Sequence, residues 1–470
     1  MAKGPRFREE TDSMGTVRVP EDALWGASTQ RAIENFPIGG RPLPAELIHA
    51  YGHVKAACAA INGALGRLAP SRTAAILAAA DEVARGDLDA QFPVDVFQTG
   101  SGTSTNMNVN EVIANRASQK AGRLLGSHDP VHPNDHVNLG QSSNDTFPTA
   151  IHVAAATAIA RGLAPALAAT HAVLTRQARE WDGIVKTGRT HLMDATPVRM
   201  GQVFGGYASQ IEHALARADR ALHALGELPI GGTAVGTGIN THPEFGARVA
   251  AELSRRTGLT LREAANHFEA QGSRDTLVEA SGAIRTIAVS LSKIANDIRL
   301  MGSGPRCGLG ELALPAIQPG SSIMPGKVNP VLCESVIQVA ARVIGNDATI
   351  ACAALGGVGS ILELNTAQPV MAEALLESIR LLARATRLFA GKVLAGLEVR
   401  RDRCEETVER SLMAVTALAP AIGYETAALL AKEALDTGRT IRELALEKSL
   451  LPEERLSEML DPLRMTEPHA

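Results

Sequence analysis

Apolar positions recur along this chain at helical spacing. Ile284, Ile287, Leu291, Ile294, Ile298 and Met301 fall three or four residues apart, the stripe of a helix that buries one face. A second stripe runs through Leu375, Ile379, Leu382, Thr386, Phe389 and Val393. The same spacing predicts long helices over 147–180, 201–225 and 331–353, with Asn329 as the cap of the last and Pro330 as its first helical residue. Several of these segments exceed 20 residues, are rich in alanine and carry apolar residues on more than one face. A helix that is apolar nearly all round must be surrounded, either deep in one bundle or shared between subunits. We favour sharing between subunits.

The flanking regions differ. Residues 1–140 mix short extended pieces near Thr16 to Pro20 with helices around 44–68 and 70–86. After about residue 396 a charged run opens with Arg400, Arg401, Asp402, Arg403, Glu405 and Glu406, and the chain closes on helices over Thr440 to Lys448 and Pro452 to Leu460. The expected organisation is mainly α: a mixed N-terminal domain (1–140), a central helical bundle (141–396) and a small helical C-terminal domain (397–470).

Composition narrows the function. The 470 residues hold 46 Lys+Arg against 50 Asp+Glu, a formal charge of −4, which lacks the basic excess of a nucleic-acid binder. Aromatic residues make up only 3%, so Ala, Leu, Ile and Val must fill the core, and small side chains allow close helix approach. Five widely spaced cysteines without a Cys-x-x-Cys pair argue against a disulfide framework and for a reducing compartment. Cys333 reads as a small buried hydrophobe rather than a catalytic thiol. Residues 1–10 lack the apolar segment of a secretory signal. Uncharged stretches such as Ala348 to Leu362 reach 15 residues, short of the roughly 18–20 that span a bilayer. A soluble, cytoplasmic protein is expected.

Four polar, glycine-rich segments stand out: Thr99 to Asn108, Gly140 to Thr146, Lys186 to Leu192 and Gly320 to Pro330. Three run into a predicted helix, where outward N–H groups, hydroxyl and amide donors and the helix dipole suit an anion. Capping needs one Ser, Thr or Asn, whereas these segments hold runs of them, so the inference is a small ligand with two anionic groups. Gly320 to Lys327 is not a P-loop, because five residues separate its glycines and Val328 replaces the Mg²⁺-binding hydroxyl. His128, His132 and His136 lie among Pro130 and Pro133, which break the helix a metal cluster would need; no metal site is expected there. His49 and His53 lack the Glu of a metalloprotease helix. The titratable groups within the polar segments that stand as candidates are His191, Lys327, Arg189 and Asp145. One histidine, one lysine and many hydroxyls, with no redox cofactor motif, fit proton transfer at a carbon next to a carboxylate. On residue chemistry alone His191 is the default base, since a free serine hydroxyl is a weak one.

At these residues the chain resembles the fumarase/aspartase superfamily, and within it the class II fumarate hydratases. Gly320-Ser-Ser-Ile-Met-Pro-Gly-Lys-Val-Asn-Pro330 matches the superfamily signature, and Gly140 to Asp145, Gly188 to His191 and Gly100 to Thr103 match the other motifs in order. The likeness runs from Asp12 to Tyr424. His191 after Thr190, Ser143 before Asn144 and Gly326 before Lys327 distinguish it from the aspartases, which usually carry Gln, Thr and Ala there.

The resemblance implies reversible hydration of fumarate to (S)-malate without metal or cofactor. It also implies a homotetramer whose middle helices form a core of about twenty helices, with active sites drawn from three subunits. It implies that Ser321 is the base, that His191 acts through a water on the departing hydroxyl, and that Glu334 pairs with His191. Lys327 and Asn329 would bind the carboxylate that becomes an aci-carboxylate. Ser101, Gly102, Thr103, Ser142, Ser143, Asn144, Thr190, Ser322 and Val328 would complete the substrate contacts, and His132, Pro133, Asn134 and Asp135 a second dicarboxylate site. The alternatives are another lyase of the superfamily, chiefly aspartate ammonia-lyase, and a structural or regulatory protein that kept the scaffold; the latter should have lost Ser321, His191 or Lys327, and all three are present.

Overall fold

The computed structural model describes residues 6–468; the first five residues of the segment read as lacking a secretory signal lie outside it. Helices carry most of the described chain, and its strands occur only in two-stranded pairs. The expected helices form at Ala45–Ala64, Pro70–Arg85, Met200–Leu225, Val331–Ala354, Ile441–Glu447 and Glu453–Met459. Both apolar stripes are buried: Ile284, Ile287, Ile294 and Ile298 are fully enclosed, as are Leu375, Ile379, Leu382, Thr386 and Phe389.

Two helix starts differ from the sequence pattern. The helix expected from residue 147 begins at Ser143 and continues, through a π-helical turn at Ile159–Leu163, to Glu180. Its start is set by a capping box, in which the Ser142 side chain and Asp145 each meet the other's backbone N–H. Apolar periodicity cannot register such a polar start. Ahead of Val331–Ala354, Asn329 does not cap; its amide donates to the Gly320 carbonyl at 2.7 Å, and Pro330 precedes the first helical residue. The helix Ser143–Glu180 is also long and apolar enough to satisfy a membrane-span criterion, because Arg161 interrupts the uncharged run without ending the helix. Its most apolar window is 61% buried within the protein, the setting of a core helix.

The chain forms two compact units. The first takes the chain up to Pro165 with Ala216–Ala288 and Ala341–Ala383; the second takes Ala166–Leu215, Val289–Ala340 and the chain from Arg384. In the first unit the helix Ala45–Ala64 packs against Pro70–Arg85, Ser143–Ala158 and Phe245–Thr257. Small residues make this possible. A Cβ at Gly52 would lie 2.4 Å from the Ala84 nitrogen, and Ala56, Ala57, Ala79 and Ala80 are fully buried. The extended pieces expected near Thr16 to Pro20 form an antiparallel hairpin, Phe7–Asp12 with Gly15–Pro20.

In the second unit an antiparallel hairpin, Val185–Thr190 with Met193–Arg199, packs against the helix Arg401–Arg410. The C-terminal helices enclose a core of their own, with Leu418, Leu430, Ile441, Leu444 and Leu456 at its centre. Thr440 and Glu443 form a second capping box at the start of Ile441–Glu447. Leu444→Ala should therefore destabilise this region by about 2–5 kcal/mol, read as a lower unfolding midpoint with unchanged secondary structure at low temperature.

Candidate functional site

In the first unit two helix starts meet. The helix Thr103–Lys120 follows Gly102, whose φ of 75° is left-handed and whose missing Cβ leaves room for the Phe147 ring; a Cβ would lie 2.1 Å from it. The Ser101 and Thr103 hydroxyls are 2.8 Å apart, and Thr103 reaches the Ser143 hydroxyl at 2.7 Å. Three hydroxyls in a row satisfy one another with two protons, and the Ser143 hydroxyl also lies 3.5 Å from Asn144 Oδ1, a long contact that a ligand can replace. Ser142 accepts the Asn144 N–H at 3.2 Å, and the Asn144 amide donates to the Ala234 carbonyl at 2.7 Å. The structure thus brings Ser101, Gly102, Thr103, Ser142, Ser143 and Asn144 together.

Asp145 lies beneath this cluster, fully buried. One carboxylate oxygen accepts the Ser142 N–H at 2.9 Å, the other the N–H groups of Gly231 (3.2 Å) and Thr233 (3.0 Å). Burial pushes its carboxyl up to about 6, opposed by those three N–H groups and the charge of Lys55. It remains an acceptor at neutral pH.

The second unit carries the remaining residues on two segments. The hairpin turns through His191 and Leu192, with φ of 57° and 63°, between the paired Thr190 and Met193. Two left-handed residues without glycine form a turn of the I′ kind at a cost in strain, which the hairpin below must hold. A bulge at Gly188 helps, since a Cβ there would sit 2.4 Å from the Thr196 carbonyl oxygen. Arg189 donates to the fully buried Glu311 at 2.6 Å, and the Lys186 ammonium lies 3.3 Å from the same carboxylate. Burial lowers the Lys186 pKa, with Glu311 opposing. Thr190 and His191 border a cavity of about 600 Å³ that Tyr207, Lys293 and Asp297 also line.

The other segment is the loop Gly320 to Asn329, closed by the Gly320 N–H on the Lys327 carbonyl (2.8 Å) and by Asn329 on the Gly320 carbonyl. Ser321 sits at its head, its hydroxyl oxygen accepting the N–H groups of Ile323 (3.2 Å) and Met324 (3.0 Å). Two N–H groups on one hydroxyl oxygen favour its deprotonated form. Ser322, Lys327 and Val328 are exposed, and Glu334 is half-buried one turn into the following helix. Within the chain, among the described residues, no hydrogen bond or ion pair joins His191 to Glu334. Cys333 is buried and its thiol is pushed up to about 12 by that burial, as its reading as a core residue requires.

His132 to Asp135 form a separate π-helical turn at Pro133–Val137. The His132 Nδ1 accepts the N–H groups of Asn134 (3.2 Å) and Asp135 (3.1 Å), so the donors implied for a second dicarboxylate are met by the chain itself. The adjoining cavity, about 340 Å³, is lined by Glu10, Asp12 and Glu111. The His128 and His132 rings are 4.5 Å apart, yet among the described residues no group of three or more His, Cys, Asp or Glu is placed to hold a metal ion.

Residue types alone passed over Lys55, Lys186 and Glu311. For Lys55 and Glu311 the signal was present: each is a single charge in an otherwise apolar or glycine-rich run, as in Val54-Lys-Ala-Ala-Cys58.

Comparison with known proteins shows the family. Residues 15–345 match the lyase family and residues 415–467 the fumarase C C-terminus. A class II fumarate hydratase of Corynebacterium efficiens is 57% identical over 465 residues, 98% of this chain and 96% of that protein. One from Mycobacterium tuberculosis (strain H37Rv) is 56% identical over 469 residues, 99% and 97% of the two. The crystal structure of a recombinant class II fumarase from Schistosoma mansoni superposes with a TM-score of 0.94 at 40% identity, covering 99% of this chain and 100% of that one.

Gly102→Ala should force Phe147 aside in a left-handed position, costing about 2–4 kcal/mol. The expected outcome is a lower unfolding midpoint together with weaker dicarboxylate binding by calorimetry, because Ser101 and Thr103 flank the displaced residue.

Proposed function

Because the chain belongs to the lyase family and, within it, to the class II fumarate hydratases, we propose that it catalyses the reversible hydration of fumarate to (S)-malate by anti addition of water. In the dehydration direction Ser321 takes the C3 proton of malate. The C–H electron pair passes into the adjacent carboxylate, giving an aci-carboxylate held by Lys327 and Asn329. Collapse of that intermediate forms the double bond and expels the C2 hydroxyl, which leaves as water with a proton delivered through a water bound to His191. Glu334 pairs with His191 from another subunit. Ser101, Gly102, Thr103, Ser142, Ser143, Asn144, Thr190, Ser322 and Val328 bind and orient the substrate.

The observation that carries the mechanism is the pair of N–H groups on the Ser321 oxygen. A serine is an implausible base in water, and two donors aimed at its oxygen stabilise the alkoxide the reaction needs. Lys327, in the same loop, adds a positive charge.

The same reading makes the enzyme a cytoplasmic homotetramer with active sites shared by three subunits and the division at 140 and 396 as its domains. Exposed apolar residues on the long helices support assembly: Val289 is 52% exposed and Ile344 45%. His132 to Asp135 would act as a second dicarboxylate site once His132 turns away from Asn134 and Asp135.

Purified protein should release fumarate, followed by its ultraviolet absorbance, from malate and not from aspartate, at a rate unchanged by a chelator. Comparable release from aspartate would make the protein an ammonia-lyase. Ser321→Ala should lower kcat by at least about a hundredfold while KM changes little; near-normal turnover would remove Ser321 from its role. An active His191→Gln variant would do the same for His191.

A further inference from the structure

Lys55 lies in the middle of the helix Ala45–Ala64 and has no exposed surface. A buried ammonium is costly unless each of its protons finds an acceptor. This one has three side-chain acceptors, all amide oxygens: Asn106 Oδ1 at 2.8 Å, Gln141 Oε1 at 2.9 Å and Asn138 Oδ1 at 3.1 Å. It therefore carries its charge with no carboxylate bonded to it. The three amides belong to different segments. Asn106 is in the first turn of Thr103–Lys120, the helix that Ser101 and Gly102 lead into. Asn138 and Gln141 lie on the turn that leads into Ser142, Ser143 and Asn144.

The amides are bound to one another as well. Asn138 Oδ1 also accepts from Asn106 (3.2 Å) and Asn110 (3.2 Å), and its amide donates to the Gln141 carbonyl at 3.1 Å. Gln141 donates to the Val137 carbonyl at 2.9 Å. The Thr146 hydroxyl lies 2.7 Å from the Ser142 carbonyl and 3.2 Å from Asn106 Oδ1. Removing the cation would leave Gln141 Oε1 without a donor and take one donor each from Asn106 Oδ1 and Asn138 Oδ1, loosening the bonds that tie the three segments together.

We infer that Lys55 is a positioning residue for the reaction: its buried ammonium locks the helix start at Thr103 to the turn at Ser142–Asn144 and so sets the spacing of the donors that receive the dicarboxylate. This rests on the reading of those residues as the substrate-binding turn. Lys55 touches no substrate; it acts through Asn106, Asn138 and Gln141.

The lock has a pH limit. Burial pulls the Lys55 ammonium down to about 8, with Cys58 and Asp145 opposing. The groups it faces do not titrate there. Burial pushes Cys58, on its own helix, up to about 12 and Asp145, in the first turn of Ser143–Ala158, up to about 6. Tyr51, whose ring centroid is 5.7 Å from the ammonium, is shifted well above its ordinary range, and the acceptors on the remaining segments are neutral amides. A neutral amine keeps two protons for three acceptors and turns a lone pair on the third. The sign of the stability change is opposite. A lysine with a depressed folded pKa binds fewer protons folded than unfolded between about 8 and 10.5, so its own contribution to stability rises with pH in that window. Weaker binding above pH 8 would therefore not reflect unfolding through Lys55.

The test is KM and kcat for malate and fumarate across the neutral-to-alkaline range in the intact enzyme, for wild type, Lys55→Met, Asn106→Asp and Asn144→Ala. Wild-type KM should rise above pH 8. Lys55→Met should raise KM about tenfold or more at neutral pH, change kcat far less, and lose the bend near pH 8. Asn106→Asp places a carboxylate on the ammonium and should move that bend upward by about one unit or more. A folded Lys55→Met enzyme with wild-type KM, or one that keeps the bend, overturns the inference. Should Lys55→Met fail to fold, an unmoved bend in Asn106→Asp overturns it equally. Unchanged KM in Asn144→Ala would instead remove the substrate-site reading beneath it; raised KM there with normal KM in Lys55→Met rejects the role of Lys55 alone.

Discussion

The first unit depends on how one buried carboxylate is satisfied. Asp145 closes the capping box that starts the helix at Ser143, and its other oxygen receives the N–H groups of Gly231 and Thr233 from a distant part of the chain. A carboxylate out of water must be met by donors on both oxygens, or it takes up a proton and loses its capping role. The turn bearing Ser142, Ser143 and Asn144 is thus fixed by a helix on one side and a glycine-rich loop on the other. Asn144 adds a bond to Ala234 in that same loop. Rigid placement of donors is what recognition of a small dianion needs, because donors that must be ordered on binding lose affinity to that ordering.

The second unit uses the same device with opposite charges. Glu311 is fully enclosed and is met by Arg189 and Lys186, which lie in the strand that ends at Thr190. This clamp holds the base of a hairpin whose tip, His191 and Leu192, carries left-handed strain. Strain of this kind persists only where the surroundings over-determine the backbone. The loop of Ser321 is built differently, closed on itself by Gly320, Lys327 and Asn329. It is also largely exposed, with Ile323 at 83%.

Much of this was legible from residue order. Helix spans, the two buried stripes and the four polar segments follow from spacing of three and four and from runs of Ser, Thr, Asn and Gly, and these are local properties. The motifs were also enough to indicate the family, since each is contiguous. The start at Ser143 was missed because a capping box is polar and adds nothing to apolar periodicity. The place of Asn329 before Pro330 suits a cap, whereas in the structure its side chain donates an amide N–H to the carbonyl of Gly320, nine residues back.

Length, composition and periodicity by themselves determined a mainly helical protein with little aromatic packing, and the contiguous motifs determined its family. Only the tertiary structure decided how those residues are held. The roles of Lys55, Asp145 and Glu311 depend on partners far away in the chain: Lys55 and Asn106 are separated by 51 positions, Asp145 and Thr233 by 88, Arg189 and Glu311 by 122. A charge's effect depends on whether it is buried and what it meets, and neither is a property of its neighbours in sequence. The spacing of the donor hydroxyls, the strain at His191 and the two N–H groups on Ser321 are settled by packing and backbone geometry, which residue types constrain and do not fix.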